Sequence, residues 1–190
     1  MVEPFKGEWG GAAHTLLTYG FSDKSYLSVS VEIRKEEGES FSAFKGLFNN
    51  YELTYVLADD RDVLKLRSNY RHDNVYLYPI NASKEKMQEM LISMLERTNK
   101  LKTSPEFYNT ISSTCTTNIV RHVNEVSPKR IKPSYMILAP GFSDKYAYEL
   151  GLIKTSKSFE DTKKECYINE KAEAFADSEL FSEKIRCTPY

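Results

Sequence analysis

Cys115 follows Ile111-Ser112-Ser113-Thr114 and opens a stretch with helical spacing. A cysteine placed there can serve as a nucleophile, because unpaired backbone N–H groups and the helix dipole stabilise a thiolate. Ser and Thr are the capping types that mark such a helix start, and the same N–H groups can receive an oxyanion. A thiol nucleophile needs a base, and the chain offers His14, His72 and His122. His122 comes seven residues after Cys115, a rise of about 10 Å along a helix. That is too far to hydrogen-bond the sulfur, so His122 reads as a surface or helix-packing residue. His72 sits in the polar turn Asn69-Tyr70-Arg71-His72-Asp73-Asn74 and reads as solvated. His14 opens a strand after the Gly10-Gly11 bend, where it can face the end of another element, and is the candidate base.

A third member follows from hairpin register. With Ser22-Asp23-Lys24 as the loop, residue 14 falls opposite residue 32. Glu32 then shares a sheet face with His14 at cross-strand distance. A carboxylate there orients the imidazole and stabilises its charged form. A one-residue shift in the loop would turn Glu32 to the other face, and Arg34 is a rival for the same carboxylate. The plain alternatives stay open: a cysteine that happens to lie near a helix start, a satisfied structural histidine, and Glu32 held by a neighbouring cation.

The elements that must hold these residues are legible as a change of period. Ala13–Phe21 and Tyr26–Arg34 read as strands, the second with Leu27, Val29, Val31 and Ile33 on one face and Ser28, Ser30 and Glu32 on the other. Tyr51–Ala58, Val63–Arg67 and Val75–Ile80 are further strand candidates, separated by short polar turns that imply antiparallel pairing. From Lys84 to Lys102 the spacing of Met87, Met90, Leu91, Met94, Leu95 and Leu101 is helical, with Ser83 as N-cap and Ser104-Pro105 as the stop. These methionines read as core. A second helix runs from Cys115 to about Asn124, with Ile119 and Val123 expected inside. Helical pieces return at Lys145–Leu150, Phe159–Glu165 and Ala172–Arg186. Strands followed by helices give an α+β class.

The chain has 190 residues, 41% apolar and 28% charged, enough for a buried core without staples. Thirteen Tyr and ten Phe favour a sheet-rich fold and a groove lined with aromatics. A formal net charge of -1 with no basic stripe argues against a nucleic-acid partner. No apolar run approaches the roughly 20 residues of a membrane span. Met1-Val2-Glu3-Pro4 lacks the basic start and apolar stretch of a signal peptide, so the chain is cytosolic as it stands or begins after an export signal or anchor. Of the three cysteines, Cys166 and Cys187 can pair in an oxidising compartment, which leaves Cys115 as the free thiol. The scattered His and Cys lack metal-ligand spacing, and no cofactor is expected.

The sequence also resembles a known family, the Lnb N-terminal periplasmic domain, formerly DUF4105. The segments that carry the likeness are Trp9-Gly10-Gly11-Ala12-Ala13-His14-Thr15-Leu16-Leu17-Thr18-Tyr19-Gly20-Phe21, Ser28-Val29-Ser30-Val31-Glu32-Ile33-Arg34 and Gly46-Leu47-Phe48. Further along come Tyr51-Glu52-Leu53, Asp60-Arg61-Asp62-Val63, Leu66-Arg67, Pro105-Glu106-Phe107-Tyr108-Asn109-Thr110 and Cys115-Thr116-Thr117-Asn118. Leu150-Gly151-Leu152-Ile153 and Phe181-Ser182-Glu183-Lys184-Ile185-Arg186 complete the set. The likeness spans nearly the whole chain. It implies one domain over 1–190, with residues 155–190 as a C-terminal helical extension packed on it.

What the resemblance implies is specific. The fold would be a circularly permuted papain-like (NlpC/P60-like) one, an antiparallel sheet packed on helices, with the His strand before the Cys helix. His14 would be the base and Cys115 the nucleophile. The location would be periplasmic or otherwise extracytoplasmic. The activity would be lipoprotein N-acyltransferase-like, with a lipid or lipoprotein substrate met at a membrane surface. One departure is Thr114, where many relatives carry Asn. The residues also admit a papain-like peptidase or amidase acting on cell-wall or peptide substrates, and a binding module with a degenerate site.

Overall fold

A computed structural model describes residues 1–5, 11–38, 42 and 46–187. Trp9 and Gly10 of the quoted motif, and the last three residues of the C-terminal extension, lie outside them. The described chain is α+β, built on one open antiparallel sheet of four strands in the order β1-β2-β3-β4. These are β1 (Val2–Pro4), β2 (Ala13–Gly20), β3 (Tyr26–Arg34) and β4 (Glu52–Asp59).

The β2–β3 hairpin turns where expected. Gly20 pairs with Tyr26 as the last rung, and the turn is closed by Phe21 N–H donating to the Ser25 carbonyl at 2.9 Å. Lys24 supplies the one residue with positive φ, 66°, and Asp23 accepts from the Ser25 N–H at 3.0 Å, as Asp does in a local turn. The ladder keeps the anticipated register but stops at Leu16 opposite Ser30. Beyond it, Ala13–Thr15 pair with β1, and Val31–Arg34 pair with β4 alone.

Both faces of this sheet are covered, which the alternation of β3 does not foretell. Val29 and Val31 pack with Leu53, Tyr55, Met94 and Cys115 on one side. On the other, Ser28 and Ser30 are as buried as the valines, and each hydroxyl finds an acceptor. Ser28 donates to Asp60 Oδ1 at 2.6 Å and Ser30 to Glu32 Oε1 at 2.7 Å. A buried hydroxyl is tolerated only when it is so paired.

Two strand expectations are corrected. Val63–Arg67 is not a strand: helix α1 (Asp60–Lys65) runs on into a π-helical turn, Leu66–Tyr70. Asp59 caps α1 by accepting from the Arg61 N–H, acidic Asp60 and Asp62 occupy its first turn, and the buried positions 60, 63, 64, 67 and 68 have helical spacing. Val75–Ile80 is extended but makes only isolated bridges, Tyr76 to Val2 and Tyr167, and Ile80 to Ile153. Pro79 has no N–H to give to a ladder there.

The long helix α2 (Lys84–Leu101) starts at Ser83, whose side chain accepts from the Lys86 N–H. Its methionine stripe is less central than its spacing suggests: Met94 is fully buried, Met90 half-buried and Met87 exposed. Helix α3 (Cys115–Val126) follows. It buries Cys115, Thr116, Asn118 and His122, while Ile119 and Val123, expected inside, are half-buried. In the connection between them, Thr110 comes so close to Gly46 that a Cβ there would meet its hydroxyl, which ties two of the family-like segments together.

The remaining helices are short: α4 (Tyr135–Leu138), α5 (Ser143–Glu149), α6 (Phe159–Glu165), α7 (Asn169–Ala174) and α8 (Phe181–Lys184). The single helix expected over Ala172–Arg186 is therefore two pieces. Ile168, Ala172, Phe181 and Ile185 from this region share one core with Met1, Leu16, Val63, Leu64, Val75 and Leu77. Cys166 and Cys187 form a disulfide packed against Val2, Ala13, Tyr78 and Ile153.

Candidate active site

Cys115 is the first residue of α3 and is 7% exposed. The turn before it is tightly organised. Thr114 is the N-cap: its hydroxyl accepts from the Thr117 N–H at 3.2 Å, and Thr117 returns the bond by accepting from the Thr114 N–H at 2.7 Å. This reciprocal capping box holds the helix start while leaving the first-turn dipole directed at the sulfur. Cys115 is the free cysteine among the three.

His14 lies in β2 just past the last β2–β3 rung, in register with Glu32, and is 9% exposed. Its Nε2 donates to Ser30 Oγ at 2.7 Å, since the Ser30 hydroxyl spends its own proton on Glu32. The same nitrogen is 3.1 Å from Glu32 Oε1. The imidazole and the Cys115 thiol are near enough for each to shift the other's titration. Of the three residues singled out from sequence, His14 and Glu32 are in direct contact, and Cys115 interacts electrostatically with the ring.

Burial alone would push His14 down, but its interactions with Cys115 and Glu32 overcome this and raise it to about 10. Burial would push the Cys115 thiol up, yet the imidazole, with help from Thr15, brings it down to about 7. Glu32 is held down to about 2: His14, Ser30 and Arg67 together outweigh its burial. Near neutral pH this arrangement favours a thiolate beside an imidazolium, with a carboxylate behind it.

Several partners were not visible in sequence. Arg67, not Arg34, is the cation on Glu32: its Nη2 donates to Glu32 Oε1 at 3.0 Å and its Nε to Glu3 Oε2 at 2.8 Å. Arg34 pairs instead with Glu52 at 3.3 Å. Arg67 comes from the π-helical turn, where the extra residue re-aims a side chain. Glu3, 2% exposed, is raised to about 7 by burial, against the pull of Arg67. On the sulfur side, the Thr15 and Thr116 hydroxyls bond each other at 2.9 Å, and Thr116 Oγ1 is 3.8 Å from the sulfur. The signals for these residues were weak: Leu66-Arg67 and Cys115-Thr116-Thr117-Asn118 stood among the family-like segments, without a role.

The other histidines are elsewhere. His72 is exposed in its turn, with positive φ of 53°. His122 is 1% exposed and packs α3 against β4 and α2, between Tyr55 Oη at 2.8 Å and Ser93 Oγ at 2.7 Å. Burial lowers it to about 4, so it is neutral. Among the described residues, no group of three His, Cys, Asp or Glu side chains is placed to hold a metal ion. No described helix is long and apolar enough to cross a membrane.

The described chain is thus an α+β domain that carries His14 and Glu32 on one antiparallel sheet and Cys115 at a helix start. The chain belongs to the Lnb N-terminal periplasmic domain family, whose model matches residues 1–141. No curated protein and no solved structure matches it.

Proposed function

We propose that this chain is an extracytoplasmic, cysteine-dependent acyl transferase of the lipoprotein N-acyltransferase kind, built as a permuted papain-like domain. The observation that carries the reading is Cys115 at the capped start of α3 with His14, braced by Glu32 at 3.1 Å, near enough to lower the thiol while the imidazole is raised. The family's periplasmic description and the Cys166–Cys187 disulfide support a location outside the cytoplasm.

In this reading the Cys115 thiolate attacks the carbonyl carbon of a lipid ester. The carbonyl electron pair moves to oxygen, and the N–H groups opening α3 stabilise that oxyanion. Collapse expels the alcohol, which takes its proton from the His14 imidazolium, and leaves a thioester on Cys115. An amine, the N-terminus of a lipoprotein, then attacks the thioester and gives its proton to neutral His14. Collapse forms the amide and restores the thiolate–imidazolium pair. Glu32 and Ser30 hold the ring in one orientation and stabilise its charged form throughout.

The test is intact-mass analysis after incubation with phospholipid. The expected result is one acyl chain added to the wild type and none to Cys115→Ala, with release of the adduct by an added amine. Absence of any adduct with lipid or peptide esters overturns the proposal. An adduct formed from peptide esters alone and discharged to water would convert the reading to a peptidase or amidase using the same pair.

A further inference from the structure

Beside the first turns of α3, a cleft of about 440 Å³ opens between α3, α2 and the segment that leads into Cys115. Its size is that of an ordinary ligand pocket. The charged groups of its lining are spent on one another. Arg97 pairs with Glu106 at 2.6 Å, and Arg121 with Glu125 at 3.5 Å and Glu106 at 4.0 Å. What the cleft leaves open is neutral hydrogen-bonding capacity.

Asn118 lines the cleft although only 3% of it is exposed. Its Nδ2 donates to the Thr114 carbonyl at 2.8 Å and to Ser113 Oγ at 3.2 Å. A carbonyl only accepts, so the first bond fixes which end of the amide is nitrogen. Oδ1 is left with no partner among the described residues. It is not sealed in: the buried side-chain atoms that lack a partner are the Arg97 Nε and Nη1, so Asn118 Oδ1 reaches the surface that the residue lines. Ser113, also in the lining, accepts from Asn118 and keeps its own proton to give. The main chain adds a second open pair. Phe107 bridges to Glu52 in antiparallel fashion, but the bonds of that bridge belong to its neighbours. Leu53 N–H donates to the Glu106 carbonyl and Tyr108 N–H to the Tyr51 carbonyl, each at 2.8 Å. Alternate residues of an antiparallel strand turn their N–H and C=O to opposite sides. Those of Phe107 therefore point away from Glu52, and among the described residues nothing pairs with them. Phe107 is 48% exposed and lines the same cleft.

We propose that this cleft is a peptide-binding subsite, in which an extended polypeptide lies along Phe107 as an added strand, donates an N–H to Asn118 Oδ1 and accepts from the Ser113 hydroxyl. An unpaired strand edge is a template for another extended chain. A main chain carries one donor and one acceptor per residue, which matches the mixed set of open groups here. An anion would instead meet Asn118 Oδ1, an acceptor, as an adverse neighbour. Asn118 follows Cys115 by three positions, so their side chains are neighbours along α3, and a polypeptide held in the cleft lies within a helical turn of the thiol. The subsite deepens the reading above and rests on it for one point, that the bound chain is the polypeptide that receives the acyl group.

NMR titration of the full, nitrogen-labelled chain tests this with three probes: acetyl-tetraalanine amide, its analogue methylated at every main-chain nitrogen, and N-acetylglucosamine. The expected result is saturable shifts of the Phe107 main-chain N–H and the Asn118 side-chain amide with the first probe alone. Ser113→Ala and Asn118→Ala each weaken that binding about 5-fold, the worth of one hydrogen bond. No saturable shift overturns the subsite. So does equal binding of the methylated analogue, tighter binding of the sugar, or an affinity unchanged in Ser113→Ala. Should Asn118→Ala fail to fold, Ser113→Ala alone decides. Peptide binding is measured without an ester and Cys115 alkylation without a peptide, so failure of the one leaves the other standing.

Discussion

At the scale of single residues, the thiol of Cys115 is set by a contest between burial, which opposes the thiolate, and an imidazole that supports it. The sign of each contribution gives a test. A lowered thiol is deprotonated sooner as pH rises, so iodoacetamide should alkylate Cys115 with a midpoint near 7, below the roughly 8.5 of a free thiol. His14→Ala removes the supporting charge and leaves burial to act, so the midpoint should move above 8.5 or so. Glu32→Gln should shift it upward by less, because that carboxylate acts through the ring. A midpoint in the wild type at or above that of a free thiol would mean an inert structural cysteine. Thr15 and Thr116 belong to the same scale: their mutual hydrogen bond fixes the hydroxyls against the sulfur.

At the scale of elements, the helix start matters more than the helix. Thr114 is an N-cap in a reciprocal box with Thr117. Asn caps as well as Thr does, so an Asn at this position would preserve the structural job. Thr114→Ala should cost about 1 kcal/mol in urea unfolding and Thr114→Asn only a few tenths. Equal losses in both variants would mean that the hydroxyl does something other than cap. The π-helical turn after α1 is the other decisive element, since it carries Arg67 back to the Glu32 and Glu3 carboxylates. Much of this scale was legible in advance. The β2–β3 hairpin and its register, the capped α2 and the start of α3 all rest on neighbours in sequence. The Val63–Arg67 segment was misread because its apolar residues are equally at home in a strand; the acidic first turn after Asp59 was the signal that separates the two.

At the scale of the molecule, the region beyond the family match completes the core. Ile168, Ala172, Phe181 and Ile185 cover Leu16, Val63 and Leu64, and the Cys166–Cys187 bond closes a sequence separation of 21 residues. A loop of that size constrains the unfolded chain by about 3 kcal/mol. Reduction, or Cys166→Ser, should therefore lower Tm by several degrees while leaving the Cys115 alkylation midpoint in place. A Tm unchanged on reduction would show that the extension is held by packing alone.

The amino-acid sequence by itself determined the strands of the hairpin, its register with His14 opposite Glu32, and the helix that begins at Cys115, because each depends on periodicity, turn residues and caps within a few positions. Tertiary structure alone decided that the serine face of β3 is buried, that Arg67 rather than Arg34 serves Glu32, and that Thr15 meets Thr116. Those outcomes depend on which distant surfaces cover one another, and burial is what gives a hydroxyl, a carboxylate or a guanidinium its need for a particular partner.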